Sequence, residues 1–221
     1  METTSFEYPV IRPAGDCGIL VKWGEGISIG THLHVQGFLE QLERERPSAI
    51  LEWIPSYTSV LLFYDMITLS ADDALALAAG VAHRAGISDN RTTRTVEVPV
   101  QYGGAAGPDL DEVARLHGLG SAEVVALHSG GDYRVYLLGF SPGFPFLGGL
   151  DERIATPRLD TPRLKVPAGS IAIGGAQTGI YPVESPGGWR LIGWTPLKIF
   201  DVDREPAFLL SVGDRVRFRA V

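Results

Sequence analysis

Apolar residues recur at helix spacing in two stretches of the first hundred residues and at strand spacing around them. Val35, Phe38, Leu39 and Leu42 share one face of a helix predicted over His32–Arg46, and Pro47 follows its end. Leu75, Ala78, Ala79 and Ala82 form a second stripe. Ser70 opens that helix as its N-cap, Asp73 three residues on resembles a capping box, and Gly86 ends it. Strands are predicted at Cys17–Trp23, with Ile19 and Val21 on one face, and at Ala49–Ile54, Ser59–Tyr64 and Thr93–Val100. Gly24-Glu25-Gly26 and Pro55-Ser56 supply turns between them. The order β-α-β-β-α-β predicts a ferredoxin-like α+β domain, in which two helices cover one face of an antiparallel sheet.

Beyond residue 95 the pattern changes. Two short helices, Asp109–His117 and Ser121–His128, each open on an N-capping residue type and lead into a strong strand, Tyr133–Phe140. Proline and glycine then recur every few residues up to Pro196. Short strands fit between them at Ser170–Ile173, Gln177–Tyr181, Arg190–Trp194 and Leu197–Phe200, and a last one at Arg215–Arg219. Many short strands with such punctuation predict a barrel or sandwich. The glycine and proline counts place the boundary: residues 1–95 hold 8 of the 27 glycines and 4 of the 15 prolines. We therefore expect two domains, 1–95 and 96–221, joined near Arg91–Glu97.

Composition narrows the function classes. With 221 residues, 45% hydrophobic and 20% charged, the chain has material for a real core and is not a disordered sequence. A net charge of −7 argues against nucleic acid or an anionic membrane as the main partner. Cys17 is the one cysteine, so no intrachain disulfide or cysteine-built metal site is possible. The first nine residues lack the basic-then-apolar run of a signal peptide, and no apolar run approaches the length of a membrane helix. A cytoplasmic protein with no metal site of its own is expected.

Three motifs invite a chemical reading and lose it. Gly139-Phe140-Ser141-Pro142-Gly143 matches the G-x-S-x-G nucleophile elbow, but Pro142 has no N–H for the oxyanion hole and no histidine lies beyond His128. Gly24, Gly26 and Gly30 miss the dinucleotide spacing by one residue, so a strand-to-helix turn is the better reading. His32 and His34, two apart, point to different faces of a helix and read as surface or helix-start residues. His117 and His128 each stand near a helix C-terminus, where an imidazolium suits the dipole. His128 leads into the strand that delivers the glycine-proline segment and is kept as a weak catalytic candidate. Arg215, Arg217 and Arg219 alternate with Val216 and Phe218, as in a strand with one solvated face.

One stretch combines rigid loops, aromatics and cations. Phe144, Phe146, Tyr181, Trp189 and Trp194 are interleaved with glycine and proline, and Arg158, Arg163 and Lys165 each lie close to a proline. Such a combination suits a small planar anion, with guanidinium forks for a carboxylate and aromatic faces for a ring. Arg163 is the first choice, because Pro162 restricts its approach and Lys165 shares its face on an extended chain.

The same stretch carries a family resemblance. Residues 139–150, Gly-Phe-Ser-Pro-Gly-Phe-Pro-Phe-Leu-Gly-Gly-Leu, resemble the signature segment of the KipI / 5-oxoprolinase B-subunit (PxpB) family, also called the allophanate hydrolase subunit 1 family. The likeness continues through Ala155–Arg158, Val166–Ser170, Gly174–Pro182, Glu184–Trp189 and Thr195–Leu197, with upstream matches at Pro99–Gly104, Leu127–Ser129 and Pro55–Ser59. It implies a small α+β domain followed by a cyclophilin-like β-barrel. It implies the B-subunit of an ATP-dependent 5-oxoprolinase, which converts 5-oxoproline to L-glutamate. Such a chain is bound tightly to the C-subunit of that enzyme, works with its A-subunit and is inactive alone. ATP is then a co-substrate of the complex. Gln177, inside the Gly174–Pro182 segment, joins Phe144, Phe146, Arg158, Arg163, Lys165 and Tyr181 as the expected substrate-binding set. Two alternatives come with the family: a KipI-like inhibitor of a sensor histidine kinase, and a carboxyltransferase component related to urea carboxylase. No biotin-acceptor Met-Lys pair occurs here.

Overall fold

The computed structural model describes residues 8–26, 28–87 and 94–221. The chain divides into two compact units, 1–91 and 92–221.

The first unit runs β1 (Val10–Pro13), β2 (Gly18–Lys22), α1 (Ile29–Glu45), β3 (Ile50–Pro55), β4 (Ser59–Tyr64) and α2 (Ala71–Arg84). Its sheet is antiparallel, in the order β1-β2-β4-β3. Strand alternation puts Ile19, Val21, Val60, Leu62 and Tyr64 into one core with Val35, Phe38, Leu39 and Leu42 of α1 and Ala74, Ala78 and Val81 of α2. Helix α1 starts three residues earlier than the pattern predicts, because Ser28 Oγ accepts the Thr31 N–H at 3.1 Å. That start buries His32, which is 1% exposed rather than on the surface. Ser70 caps α2 as expected, accepting the Asp73 N–H at 3.2 Å.

The first unit does not have the expected ferredoxin-like arrangement. The strand expected at Thr93–Val100 begins outside the described residues. From Thr95 it runs to Tyr102 as β5, parallel to the last strand of the chain, and joins the second unit. Val98 and Val100 on β5 are fully buried in that unit's core, which binds the strand there by its apolar face. The first sheet takes its fourth strand from β1 instead. The pattern misses β1 because it has only four residues and ends on Pro13.

The second unit continues with α3 (Leu110–His117), α4 (Ser121–Ser129), β6 (Tyr133–Leu138), β7 (Pro145–Gly148), β8 (Arg163–Val166), β9 (Ser170–Gly174), β10 (Gln177–Ile180), β11 (Ser185–Gly187), β12 (Arg190–Trp194) and β13 (Arg215–Ala220). Seven strands close a barrel in the order β10-β7-β6-β13-β5-β12-β9, while β8 and β11 form a separate two-stranded ribbon. The core holds Val135, Leu147, Ile171, Ile173, Ile180, Ile192, Val216 and Phe218, with Val113 and Val124 of the two helices packed into the same cluster. On β13, Val216 and Phe218 point in, while Arg215 and Arg219 pair with Asp132 and Glu97 outside. No strand forms at Leu197–Phe200, where only Phe200 bridges to Phe208. Arg204 instead donates to the carbonyl oxygens of Lys198, Ile199 and Ala207, so those carbonyls are satisfied by a side chain.

The helix caps also differ from the pattern. Asp109 occupies the α3 N-cap, but its carboxylate makes no cap bond. Gly120, not Ser121, is the α4 N-cap, and the Glu123 carboxylate accepts the Gly120 N–H at 2.8 Å.

Candidate functional site

Strand β11 of the ribbon, Phe146 of β7 and the loops around them line an open cavity of about 410 Å³. Its walls are Phe140, Phe144, Phe146, Tyr181 and Trp189, with Leu159, Pro162 and Pro186 closing the side and Arg158 at the edge. The rings form a connected cluster. Phe144 lies 4.8 Å from Phe146, 5.1 Å from Tyr181 and 5.4 Å from Trp189, the last two edge to face.

Glycines in the signature segments make this packing possible. A Cβ on Gly174 would sit 2.4 Å from the Trp189 ring, on Gly179 2.9 Å from Phe144, and on Gly187 2.2 Å from the Tyr181 hydroxyl. Any larger residue would push a ring out of the wall.

The loop before β7 holds the rim. Ser141 N–H donates to the Gly139 carbonyl at 2.7 Å, two residues back, which makes Phe140 the centre of a γ-turn. Phe140 has φ +66° and is 66% exposed. The next turn closes when Phe144 N–H donates to the Ser141 carbonyl at 3.0 Å. Pro142 and Gly143 are its central residues, and Gly143 has φ +77°.

Arg158 stands with its guanidinium carbon 5.7 Å from the centre of the Trp189 ring. It has no carboxylate partner among the described residues. Burial raises the Tyr181 phenol above its ordinary pKa, while the Trp189 backbone N–H and the charges of Arg158 and Arg163 pull it back. The pocket is thus an apolar, aromatic recess with one uncommitted cation at its edge.

Of the residues singled out in sequence, the cavity brings together Phe144, Phe146, Arg158 and Tyr181. It does not include Arg163, Lys165 or Gln177. Arg163 Nη2 donates to the Asp109 carboxylate at 2.7 Å, and the other oxygen of that nearly buried carboxylate accepts the Leu191 N–H at 2.6 Å. The register of the ribbon shifts between Arg163 and Val166, so the simple alternation expected for Arg163 and Lys165 does not hold, and charge partners decide their use. Lys165 is an exposed side chain paired with Glu184 at 2.9 Å. Gln177 opens β10 opposite Gly174. Two wall residues, Trp189 and Phe140, lie outside the binding set expected from sequence. Phe140 is legible as an aromatic inside a glycine-proline turn, and Trp189 as an aromatic directly after two glycines.

His128 belongs to the barrel core, not to this cavity. It is fully buried between Tyr133 and Phe218, with ring centroids 5.4 and 4.5 Å away. Thr178 Oγ1 donates to the Ala172 carbonyl, so at 2.9 Å it accepts from His128 Nε2–H. The Tyr102 hydroxyl then donates to Nδ1 at 2.7 Å. Burial lowers the imidazole pKa to about 3, which keeps the ring neutral. A histidine committed at both nitrogens and sealed from solvent cannot reach a substrate, so its catalytic candidacy is withdrawn. His117 keeps a structural role: its Nε2 lies 3.0 Å from Thr156 Oγ1. Among the described residues no group of three or more His, Cys, Asp or Glu side chains could hold a metal ion, and no helix is long and apolar enough to cross a membrane.

Comparison with known proteins adds an independent line. Residues 9–210 match the carboxyltransferase domain, subdomain C and D. The 5-oxoprolinase B-subunit of Bacillus subtilis (strain 168) is 42% identical over 218 residues, covering 94% of this chain and 91% of the relative. A protein of the same description from Escherichia coli O157:H7 is 57% identical over 126 residues, covering 57% of this chain and 58% of the relative. The crystal structure of TTHA0988 is similar with a TM-score of 0.80 at 41% identity. The match covers 96% of this chain but only 40% of that longer one.

Proposed function

The chain belongs to the 5-oxoprolinase B-subunit family, and from that premise we propose that it works in a complex that hydrolyses 5-oxoproline to L-glutamate at the expense of ATP. The C-subunit of that enzyme binds it tightly, the A-subunit completes the complex, and the assembly is cytoplasmic. The observation that carries this reading is the 42% identity maintained over almost the full length of the Bacillus relative. Within the chain, the aromatic recess takes the lactam ring and Arg158 takes the carboxylate. An apolar wall favours the ring's hydrocarbon face, and an unpaired guanidinium favours the anion. The second unit is read as a cyclophilin-like barrel, and the two units as separate domains, with the boundary expected at 95/96 moved ahead of β5, because Thr95 on that strand pairs with Arg215. Limited proteolysis ahead of β5, near Arg91–Arg94, should then release a stable barrel fragment, and cuts within residues 140–195 would contradict it.

The chemistry is shared across the complex. This chain has no phosphate loop, and the one histidine near its signature segment is locked in the core. The isolated protein is therefore expected to lack turnover. The test is reconstitution with the A- and C-subunits, following glutamate release with and without ATP. ATP-dependent release from this chain alone, or none from the full complex, would overturn the reading. The description of the matched domain favours one alternative, a carboxyltransferase. Transfer of carboxylate from carboxybiotin, in place of glutamate release, would select it.

A further inference from the structure

Two unfavourable features sit side by side in the loop at the pocket's rim. Phe140 holds φ +66°, a conformation that glycine adopts freely and that a residue with a bulky side chain rarely does. The residue is 66% exposed, so burial does not compensate for the strain. The neighbouring Ser141 Oγ is sealed from solvent and has no hydrogen-bond partner. Glycine at 140 and alanine at 141 would remove both costs without touching the Pro142-Gly143 turn. Sequence economy alone would favour them, yet the chain keeps an aromatic and a hydroxyl there.

The geometry supplies a second state in which both features are useful. Gly139 before the γ-turn and Pro142 after it delimit a short hinge. If Phe140 relaxes to negative φ, the bond from Ser141 N–H to Gly139 opens and the intervening peptide reorients. Phe140 already lines the cavity, with its ring 5.6 Å from Phe144 at the wall. Ser141, one residue on, turns with it and exposes a hydroxyl and an N–H.

We infer that Phe140 and Ser141 are substrate-contacting residues that act in this second state: the loop turns over an occupied pocket, Phe140 covers the ring of the bound molecule, and the Ser141 hydroxyl donates to its carboxylate or lactam oxygen. The ligand class is a small cyclic carboxylate, so the inference rests on the pocket reading above. No covalent step is involved, and Ser141 serves as a hydrogen-bond donor, not a nucleophile.

The test sets stability against affinity. Phe140→Gly and Ser141→Ala each remove a feature that is unfavourable in the open state, so each raises the Tm of the full chain, by about 2–4 °C. In the reconstituted complex each raises KM for 5-oxoproline, roughly three- to tenfold for Phe140→Gly and about tenfold for Ser141→Ala, with kcat changed far less. Greater stability with weaker binding is the signature of a strained contact residue; a purely structural residue gives lower stability. A fall in Tm in either variant, or unchanged KM in both, would overturn the inference. If KM survives Arg158→Ala but rises in both loop variants, the assignment of Arg158 falls and the loop stands.

Discussion

The barrel unit contains two aromatic clusters built around one basic side chain, and they do opposite things. In the inner cluster, His128 lies among Tyr102, Tyr133 and Phe218. Both of its ring nitrogens are matched, and the Tyr133 hydroxyl donates to its carbonyl at 2.7 Å. In the outer cluster, Arg158 lies against Trp189 beside Phe144 and Tyr181, open to solvent, with no carboxylate among the described residues to match it. Composition hardly separates the two. Access and hydrogen-bond satisfaction do: a polar group whose partners are all internal stabilises the fold, and one left unmatched at a cavity is available to a ligand. Arg163 follows the same rule in part: Asp109 takes its Nη2, while its buried Nη1 has no partner.

The comparison breaks most visibly at His128. His128→Ala leaves a cavity and strands the Tyr102 hydroxyl, while Thr178 keeps its bond to Ala172, so stability falls by about 3–5 kcal/mol and Tm by roughly 10 °C. The wild-type protein should also carry a pH signature. The folded imidazole has a pKa of about 3 against an ordinary 6.5, so between those values the unfolded chain binds more protons. The stability contributed by the neutral ring is complete above pH 6.5. It is lost as pH falls towards 3, at up to about 1.4 kcal/mol per pH unit. Urea denaturation of His128→Gln from pH 7 to 4 should show a shallower slope than wild type; an identical slope would mean that the imidazole is not buried neutral.

Arg163→Ala comes next. It leaves the nearly buried Asp109 carboxylate without its cation, and stability should fall by about 2–4 kcal/mol. The KM for 5-oxoproline should stay near wild type in the folded fraction; a large KM effect with intact folding would return Arg163 to the site. Arg158→Ala is the mirror image. Thermal melting should move by less than about 1 °C, while KM rises about tenfold to a hundredfold through loss of a charge-assisted bond worth about 1.5–3 kcal/mol. Unchanged kinetics would remove Arg158 from the proposed contacts of the anion. Lys165→Ala should do least. Its pair with Glu184 is exposed on both sides, so both Tm and KM should hold within error.

Hydrophobic periodicity by itself showed both helices of the first unit and the buried face of α1; for α2 it set the stripe on Leu75, Ala78, Ala79 and Ala82, whereas Ala74, Ala78 and Val81 are buried and Ala79 is exposed. Glycine and proline spacing showed most of the barrel strands and the change of architecture near residue 95. Those features depend on local spacing, which a sequence displays directly. The glycine-proline segment also displayed its aromatics, because close ring-to-backbone packing forces glycine at defined positions such as Gly174 and Gly187. Other features were decided only by tertiary structure. β5 left the first sheet for the barrel because parallel pairing with β13, 120 residues downstream at Thr95 and Arg215, is invisible to any local window. Asp109 was readable as a cap, yet its carboxylate turned away to Leu191 and Arg163. Of three similar cations in one short run, the fold matched Arg163 and Lys165 with acids distant in sequence or across the ribbon and left Arg158 unmatched. Charge pairing is a long-range choice, so which cation faces the cavity was settled by the fold and not by the spacing.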